Sequence, residues 1–490
     1  PTEQSTGLPL HINADFFPES DRKAIVFAGH QHQQAWNEML IDAAATELAR
    51  DPEALLQMLG YAQLWQIIGR AYELARSQHH PSCFAKFWER IKATGSQSRI
   101  ALAQDDTTQP PGGVMLPRSQ LNEFQVKALG EMGGRVVIED LRPYQNALNQ
   151  LGAPILTLER LTNLMATAFA SHEAGVSEIP DQKVEGFYRP LWSIVNDLLP
   201  ESSTQPSSLN PSVHKLLGIP FVVTEDSFLV TISQSYITQH PLRADQVASL
   251  LPRLAILSRH LLGFPKIARL VTSLGLANVV SHLESEIESS ESAEDVISSE
   301  KAHLRDLYSI FADLDRQSSV ESSVYKTLRS LPVWLSSKGL VKADQALLPG
   351  NFNDPTGQAD LLDPSALTDL AREFVSSKLD VQSQTIEAYV QTVLPSKVFD
   401  TNGPVDPSKY QQLVTELAEH SSLLNDDNIR RLLASLPIIP TQDGGWSKPE
   451  NTYRRTDELV KVLGDTLHLW VDPTRIPNTR SVYSFIEGLG

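Results

Sequence analysis

The sequence has a single cysteine in 490 residues, which excludes a disulfide framework and a zinc site built from thiolates. It has no apolar run long enough to predict a membrane span. Basic residues are also scarce, since 41 Lys and Arg stand against 59 Asp and Glu and give a formal net charge of −18. This balance argues against nonspecific binding to nucleic acid or to an anionic membrane, because both require excess positive charge. We expect a reducing intracellular compartment, the cytoplasm or the nucleus.

Short motifs that carry known chemistry are missing as well. The sequence contains no phosphate-binding GxxxxGKS/T loop, no GxGxxG turn after a strand, no HExxH metal motif and no GxSxG nucleophile turn. His79, His80 and Cys83 lie close together, but a zinc site needs about four ligands and no second cluster follows at a suitable spacing. The sequence therefore predicts no metal, no cofactor and no catalytic residue, and we expect no enzymatic activity from this chain alone.

Helical patterns are abundant. Hydrophobic residues make up 41% of the chain, a normal fraction for a globular protein, and the length predicts about three domains. Three apolar stripes at helical spacing are predicted to pack in the core. They are Trp36, Met39, Leu40 and Ala43; Leu55, Met58, Leu59, Ala62 and Trp65; and Phe84, Phe87, Trp88 and Ile91. The predicted class is α+β and mostly helical, with small mixed sheets and hairpins joined by helix bundles in two or three subdomains.

Changes in composition divide the chain into four segments. These are a strand-turn element with a helical domain at 1–103, an α/β subdomain at 114–200, and helix-hairpin units at 213–345 and 346–490. The polar segment 104–113 is predicted to be an exposed loop or short linker. The segment 201–212, which is rich in Ser, Pro and Asn, marks a second boundary.

An acidic, serine-rich segment lies at 284–295. The pattern predicts a solvated helix end that runs into a mobile linker. A second interpretation is a phosphorylation segment, because Ser292 has an acidic residue three positions later.

One layout occurs three times along the chain. A helix end leads to an aliphatic-Pro step, a short apolar strand, a polar turn and a second strand, at Pro220, Pro332 and Pro437. The proline ends the helix and favours an extended residue before it, and the polar turn then allows a hairpin. The spacing of a little over a hundred residues is too long for a simple solenoid. It is consistent with small α+β units that each carry one hairpin, or with three unrelated hairpins.

The first part of the chain has a distinct pattern. Apolar residues alternate with polar residues or proline over 8–12, which predicts a half-buried strand, and Asn13 follows it directly. A turn is predicted at 18–21, directly before Arg22 and Lys23. A basic pair held on a turn could reach a phosphate on a neighbouring domain. The alternative is an ordinary surface turn.

The same region resembles the sacsin-type repeat module, which also occurs in large fungal proteins. That family shows a Gly-Leu-Pro-aliphatic-His-aliphatic-Asn element, an Asn-Arg-Arg-like step and a Trp-Asn-Glu helix start. The corresponding residues here are Gly7–Asn13, Asp21–Lys23 and Trp36–Glu38. The Leu-Pro hairpins at 331 and 436 are similar to elements further along such modules. The resemblance is specific over residues 6–45 and loose afterwards.

In that family the element follows an amino-terminal GHKL-type ATPase domain related to heat-shock protein ninety. The resemblance implies that this chain is the part of a sacsin-like chaperone that follows the nucleotide pocket, with ATP and Mg²⁺ bound in the upstream domain. The implied partners are that ATPase domain and protein clients or co-chaperones, with no nucleic acid and no membrane. The first residue is Pro1 and not Met, which agrees with the expectation of a longer polypeptide.

Three residues are candidates for contact with the ATPase domain. Arg22 matches the basic position that, by analogy with related ATPases, could reach the terminal phosphate, and Lys23 and Asn13 are further candidates for phosphate or interdomain contact. Lys23 stands where the family has Arg, and Asp21 stands where it has Asn. Lysine binds phosphate as a point charge, without the fork geometry of arginine. The alternative function is a helical scaffold that binds partner proteins without ATPase coupling.

Overall fold

Helices make up most of the structure. The structure, a computed structural model, describes residues 4–29, 31–77, 80–172, 175, 178–201, 210–239 and 242–490. The chain is 54% helical with small two-stranded sheets, which confirms the predicted α+β, mostly helical class. It divides into a first unit, Pro1–Ile237 with Ala255–Thr272, and a second unit, Thr238–Leu254 with Ser273–Gly490.

The boundaries of the four segments predicted from composition do not coincide with the boundaries of these two units. The predicted boundary between 345 and 346 lies within the second unit. The predicted boundary at 201–212 lies largely outside the described residues.

The α-helices are numbered in chain order. They are Gln31–Leu48 (α1), Pro52–Arg76 (α2), Ala85–Gly95 (α3), Glu123–Glu131 (α4), Gln145–Gln150 (α5), Leu158–Ala168 (α6), Asp181–Lys183 (α7), Arg189–Leu198 (α8), Pro211–Leu217 (α9), Ala244–Leu250 (α10), Pro265–Ala268 (α11), Leu276–Ser289 (α12), Lys301–Gln317 (α13), Ser322–Ser330 (α14), Asp369–Ser377 (α15), Ile386–Thr392 (α16), Tyr410–Glu419 (α17), Asp427–Ser435 (α18), Asp457–Leu463 (α19) and Arg480–Leu489 (α20). A π-helical turn, Val184–Tyr188, joins α7 to α8.

The strands are short. They are Ala101–Leu102 (β1), Thr108–Gln109 (β2), Pro220–Val223 (β3), Leu229–Thr231 (β4), Tyr236–Ile237 (β5), Thr272–Ser273 (β6), Trp334–Ser336 (β7), Gly339–Val341 (β8), Ala346–Leu347 (β9), Asp360–Leu361 (β10), Phe399–Asp400 (β11), Gly403–Pro404 (β12), Ile439–Pro440 (β13) and Trp446–Ser447 (β14).

One module occurs four times. Three helices, called A, B and C, precede an antiparallel hairpin of strands a and b, a one-turn 3-10 helix and a strand c. A crossover segment then leads to strand d and to a last helix, D. The helices A, B, C and D are α1, α2, α3 and α5 in module 1; α6, α8, α9 and α11 in module 2; α12, α13, α14 and α15 in module 3; and α16, α17, α18 and α20 in module 4.

Strand d defines the module, because it lies between strands a and c. In every copy it is antiparallel to strand a and parallel to strand c. The paired residues are Ala103–Val137 and Met115–Val136 in module 1, Thr224–Leu257 and Tyr236–Ile256 in module 2, Ser336–Leu362 and Ala346–Asp360 in module 3, and Thr441–Val471 and Tyr453–Trp470 in module 4. These sheets have too few residues to be stable alone, so the helices must cover them.

The helices pack in the same way in each copy. Helix A packs on helix C, and helix B packs on helix D or on the 3-10 turn before it. In the first three modules a buried aromatic residue of helix B donates a hydrogen bond to the carbonyl at the start of strand a. These bonds are Trp65 Nε1 to Ile100 O, Trp192 Nε1 to Phe221 O and Tyr308 Oη to Val333 O, each at 2.8 Å. The hydrogen bond fixes the hairpin to the helical core.

The three hairpins predicted at Pro220, Pro332 and Pro437 are confirmed. The fourth hairpin of the modules, β1 with β2, was not predicted, and neither was the separate hairpin of β11 with β12. Consequently, the prediction of a loop or linker at 104–113 is wrong, because this segment contains the hairpin turn, β2 and a 3-10 helix.

A three-residue turn explains why the fourth hairpin escaped prediction. The N–H of Val333 bonds to Leu331 O at 2.9 Å, with Pro332 in the centre of the turn. The N–H of Ile438 bonds to Leu436 O in the same way, with Pro437 in the centre. In module 1 the N–H of Ile100 bonds to Ser98 O at 2.9 Å, with Arg99 in the centre. Proline presets the backbone angle of such a turn but is not required for it.

One of the three predicted apolar stripes is wrong and a second is wrong in part, since Trp65 of the second stripe is buried as predicted. Trp36 is 43% exposed and Met39 52% exposed, and the buried face of α1 is formed by Asn37, Ile41 and Ala45. In α2, Met58 is 75% exposed, because non-helical Gly60 kinks the helix and shifts its buried face. The third stripe, Phe84 to Ile91, is confirmed as core.

The strand predicted at 8–12 is also wrong. Burial alternates as expected, with Leu8 buried and its neighbours more exposed, but no strand is assigned there. Leu8 packs in the same core as Leu74 of α2. The alternation therefore reflects an extended segment lying on helices, and not pairing within a sheet.

The acidic segment 284–295 is an ordered part of the fold. The helix α12 extends through Ser289, and a 3-10 helix, Ala293–Asp295, follows it. The Oγ of Ser292 lies 3.0 Å from the Asp295 carboxylate, which also accepts the Ser292 N–H. The predicted helix end is confirmed, but the residues after it form a 3-10 helix in place of the predicted linker, and Asp295 caps that helix.

We expect Tyr308→Phe to destabilise the second unit by about 2 kcal/mol, because the Tyr308 hydroxyl also accepts the Leu335 N–H at 2.8 Å and both backbone groups would be left buried and unpaired. Urea unfolding monitored by circular dichroism measures the effect. The matched control is Tyr236→Phe, because no hydrogen bond of the Tyr236 hydroxyl is found among the described residues. Equal effects of both substitutions would contradict the role of this bond.

Candidate functional site

The predicted turn before Arg22 is confirmed as the tip of a small hairpin loop. Pro18 and Ile25 form an antiparallel bridge, and the Val26 N–H bonds to Phe17 O at 3.0 Å. The Arg22 N–H closes a turn on Glu19 O at 2.9 Å. Residues 17–26, called the relay loop, therefore have a defined conformation.

Asn37 of α1 clamps the base of the relay loop. Its side-chain oxygen accepts the Phe17 N–H at 2.8 Å, and its side-chain nitrogen donates to Phe17 O at 2.9 Å and to Val26 O at 3.0 Å. Asn37 is completely buried. One amide thus joins both sides of the loop to the helix, and this explains why an asparagine occupies the buried face of α1.

Aromatic residues support the loop next to this clamp. The Trp36 Nε1 donates to Asp15 O at 3.0 Å. The Phe17 ring packs edge-on against Trp36 and against His32, with centroids 6.5 and 6.1 Å apart. Phe17 and Trp36 remain 38% and 43% exposed, so the loop lies beside a partly exposed aromatic surface.

Arg22 and Lys23 lie together at the tip of the relay loop. Both side chains are exposed, and neither forms an ion pair with a described residue. Arg22 has a left-handed backbone with φ of 61°, and the Lys23 N–H donates to the Asp21 carboxylate at 2.9 Å. Left-handed backbone is costly for arginine, so the surrounding loop holds it there.

Asn13 is not joined to this tip. It is exposed, and no described hydrogen bond connects it with the relay loop. The structure therefore brings together two of the three candidate residues. Their guanidinium and ammonium groups offer hydrogen-bond donors to a phosphate or a carboxylate.

A separate groove lies elsewhere in the first unit. It has a volume of about 610 Å³ and lies between the β1–β2 turn, α4 and the segment 133–136. Its ionisable side chains have both signs, and Asp105 pairs with Arg135 at 3.4 Å. The hydroxyl of Thr107 is the main cause of the lowered pKa of Asp105, which is thus held in its ionised form within the hairpin turn.

No group of three or more His, Cys, Asp or Glu side chains that could hold a metal occurs in the part of the chain that the structure describes. Of the residues considered as ligands, His79 lies outside the described residues, and Cys83 is buried. Burial raises the pKa of the Cys83 thiol to about 11. None of the helices described is both long enough and apolar enough to cross a bilayer.

Comparison with family models, with curated proteins and with solved structures gave no match. The resemblance to the sacsin-type module therefore stays a prediction from the residues themselves. The sequence indicated the exposed pair Arg22 and Lys23 but not the clamp. The available signal was Asn37 on the same helical face as Ile41 and Ala45, where a polar residue is expected to serve a hydrogen-bonding role.

Proposed function

We propose that this chain is the non-nucleotide-binding part of a sacsin-like chaperone and that the relay loop couples it to an upstream ATPase domain. The observation that carries the proposal is the unpaired basic tip, Arg22 with Lys23, on a loop that Asn37 clamps. In this proposal, ATP and Mg²⁺ bind to the upstream domain, and the helical modules transmit its state to protein clients or co-chaperones.

The chemistry of the tip suits a phosphate. An arginine presented to a terminal phosphate stabilises negative charge that develops during phosphoryl transfer. The chain as a whole carries a formal charge of −18, which repels nucleotides, so an attraction must come from a local concentration of positive charge. A loop that is already ordered loses little conformational entropy when it binds.

In the protein joined to its proposed ATPase domain, we expect Arg22→Asn to lower ATP turnover about a hundredfold or more. Asparagine tolerates left-handed backbone, so the substitution removes the guanidinium without adding strain to the loop. Steady-state phosphate release measures turnover. The control is Arg160→Asn, because Arg160 is also exposed and forms no ion pair with a described residue.

Unchanged turnover in Arg22→Asn, with the fold intact, would contradict the relay and favour the second candidate function. That candidate is a scaffold that binds proteins without ATPase coupling. The fourfold module supports it, since repeated modules create extended binding surfaces. Under either function we expect the chain alone not to hydrolyse ATP above the rate in buffer.

A further inference from the structure

The crossover between strands c and d covers the next module in the chain. The crossover helix of module 1, α4, packs on α8, and its Gln125 Nε2 donates to Ser193 Oγ at 3.1 Å. The crossover of module 2, α10, packs on α13. In module 3 the crossover is a loop, and its Phe352 ring packs against Tyr389 of module 4 at 5.0 Å. Each crossover thus has a buried face.

The crossover helix of module 4 has no such face. None of the residues of α19 is buried, whereas α4 and α10 each bury three. Val462 of α19 is 79% exposed, and Leu467, which follows the helix, is 44% exposed. Among the described residues, α19 is therefore a crossover helix without the partner that its counterparts have.

The sheet of module 4 is open at the same end. In module 1 the residue after strand c, Leu116, donates its N–H to Pro154 O and accepts the Leu156 N–H, both at 2.8 Å. In module 3, Leu348 forms the same two bonds with Gln382 O and the Gln384 N–H. The equivalent residue in module 4 is Arg454, and its backbone forms neither bond with a described residue.

In modules 1 and 3, the residues that form these two bonds lie at fixed positions before the helix A of the next module. Pro154 and Leu156 precede the first residue of α6 by four and two positions, and Gln382 and Gln384 precede α16 by the same intervals. At the start of the chain, the same positions before α1 are Phe27 and Gly29. The carbonyl of Phe27 and the N–H of Gly29 have no hydrogen bond within the described structure.

Part of helix B of module 1 is also exposed, although the segment 8–12 packs on this helix elsewhere. In modules 2 and 3, helix B is the surface on which the preceding crossover packs. In module 1 this helix is α2, where Met58 is 75% exposed. An open strand position and an exposed apolar side chain thus occur together in module 1, as they do at Arg454 and Val462 in module 4.

We propose that this protein associates head to tail with a second copy of itself. The tail surface, Arg454 with α19, binds the head surface of the next copy, Phe27–Gly29 with α2. Arg454 takes its place opposite Ala28 in a parallel strand pair, and α19 packs on α2 near Met58. Open strand edges and exposed apolar side chains both favour such docking. Because head and tail differ, the contact is heterologous, and it produces open chains unless the rotation closes a ring.

The test uses one acidic substitution on each surface. In sedimentation velocity, the wild-type mass is expected to rise with concentration beyond that of the monomer. Val462→Asp disables every tail and Met58→Asp disables every head, so each variant alone is expected to remain monomeric. A mixture of the two variants keeps one functional head and one functional tail. It is expected to form dimers of twice the monomer mass and nothing larger.

The matched controls are Val405→Asp and Leu262→Asp, which change exposed apolar residues outside both surfaces and should associate like the wild type. A wild-type protein that is monomeric at all concentrations would overturn the proposal. So would association that survives either surface variant, or a mixture that stays monomeric. Loss by Val462→Asp alone would indicate a symmetric tail-to-tail dimer and would also overturn it.

A disulfide test checks the strand register. The double variant Ala28→Cys with Arg454→Cys should form a covalent ladder of multimers on mild oxidation, because paired strand residues lie within disulfide reach. The natural Cys83 is buried and should not contribute. Ala28→Cys with Val405→Cys is the control. A ladder that forms equally in both double variants, or in neither, would reject the proposed register.

Discussion

Replacing Gly403 with alanine is expected to destabilise the second unit by roughly 3 kcal/mol or more. Gly403 has φ of 127°, and a Cβ atom there would overlap the Trp446 ring. That ring cannot move away easily, because Tyr410 packs edge-on against it at 4.6 Å and the Arg475 guanidinium lies 4.2 Å from its centroid. Arg475 is itself held by Gly444 O at 3.0 Å.

The variant Gly444→Ala separates the two expected causes of instability, which are backbone strain and overlap with the Trp446 ring. Gly444 also has a positive φ, of 88°, but no atom lies within 4 Å of the position that an alanine Cβ would take there, so only backbone strain of about 1 kcal/mol is expected. Urea unfolding followed by tryptophan fluorescence compares the two variants. If both lose the same stability, the overlap with Trp446 is not the reason for a glycine at 403.

Asn37→Ala is expected to lower stability by about 3 kcal/mol, because three hydrogen bonds disappear and the Phe17 N–H and the Val26 carbonyl lose their partners, although Phe17 O keeps its bond with the Val26 N–H. The loss should be concentrated in the relay loop. Hydrogen exchange read by mass spectrometry should show faster exchange of the peptide that covers 17–26. In the ATPase-linked protein, turnover should fall as in Arg22→Asn, although both basic side chains are still present.

Asn13→Ala is the control for the clamp. The Asn13 side chain is exposed, and a change there is expected to alter stability by less than about 0.5 kcal/mol. If Asn37→Ala left exchange in the relay loop unchanged, the clamp would have no role in ordering the tip. The relay could then still act through a loop that orders on binding.

The sequence predicted those parts of the fold that local chemistry determines. The prolines at 220, 332 and 437 located three hairpins because a proline that follows a helical segment cannot continue its hydrogen bonding. The hairpin at β1–β2 has the same geometry without that residue, so it left no signal. The position of strand d between strands a and c could not be predicted, since this pairing depends on contacts distant in the sequence.

The errors in α1 and α2 have a shared physical origin. Periodicity shows where apolar residues lie, but it does not show which face finds a partner. In α1, Trp36 and Met39 are exposed while Asn37 is buried by hydrogen bonds to a loop. In α2, the kink at Gly60 changes the register of the buried face. A hydrophobic pattern alone predicts neither the buried amide nor the kink.

The sequence predicted the candidate site only in part, because a local pattern does not show which groups a side chain contacts after folding. Exposure of Arg22 and Lys23 follows from their position after a turn, and the structure has both on the tip. Asn37 contributes through three backbone contacts that only the folded chain creates. Asn13 was selected because it follows the predicted strand and belongs to the element that carries the resemblance, and no described hydrogen bond connects it with the loop.

The helix α10 has a consequence for dividing this protein into parts. It belongs to the second unit, while the strands on both sides of it belong to the first. The backbone therefore passes between the units at three points, and no single cut yields two complete pieces. A truncation after residue 237 would remove Leu257, Leu261 and Ile267 from the core of the first unit and expose the residues that they cover. Insoluble halves would therefore not be evidence that the whole chain is unstable.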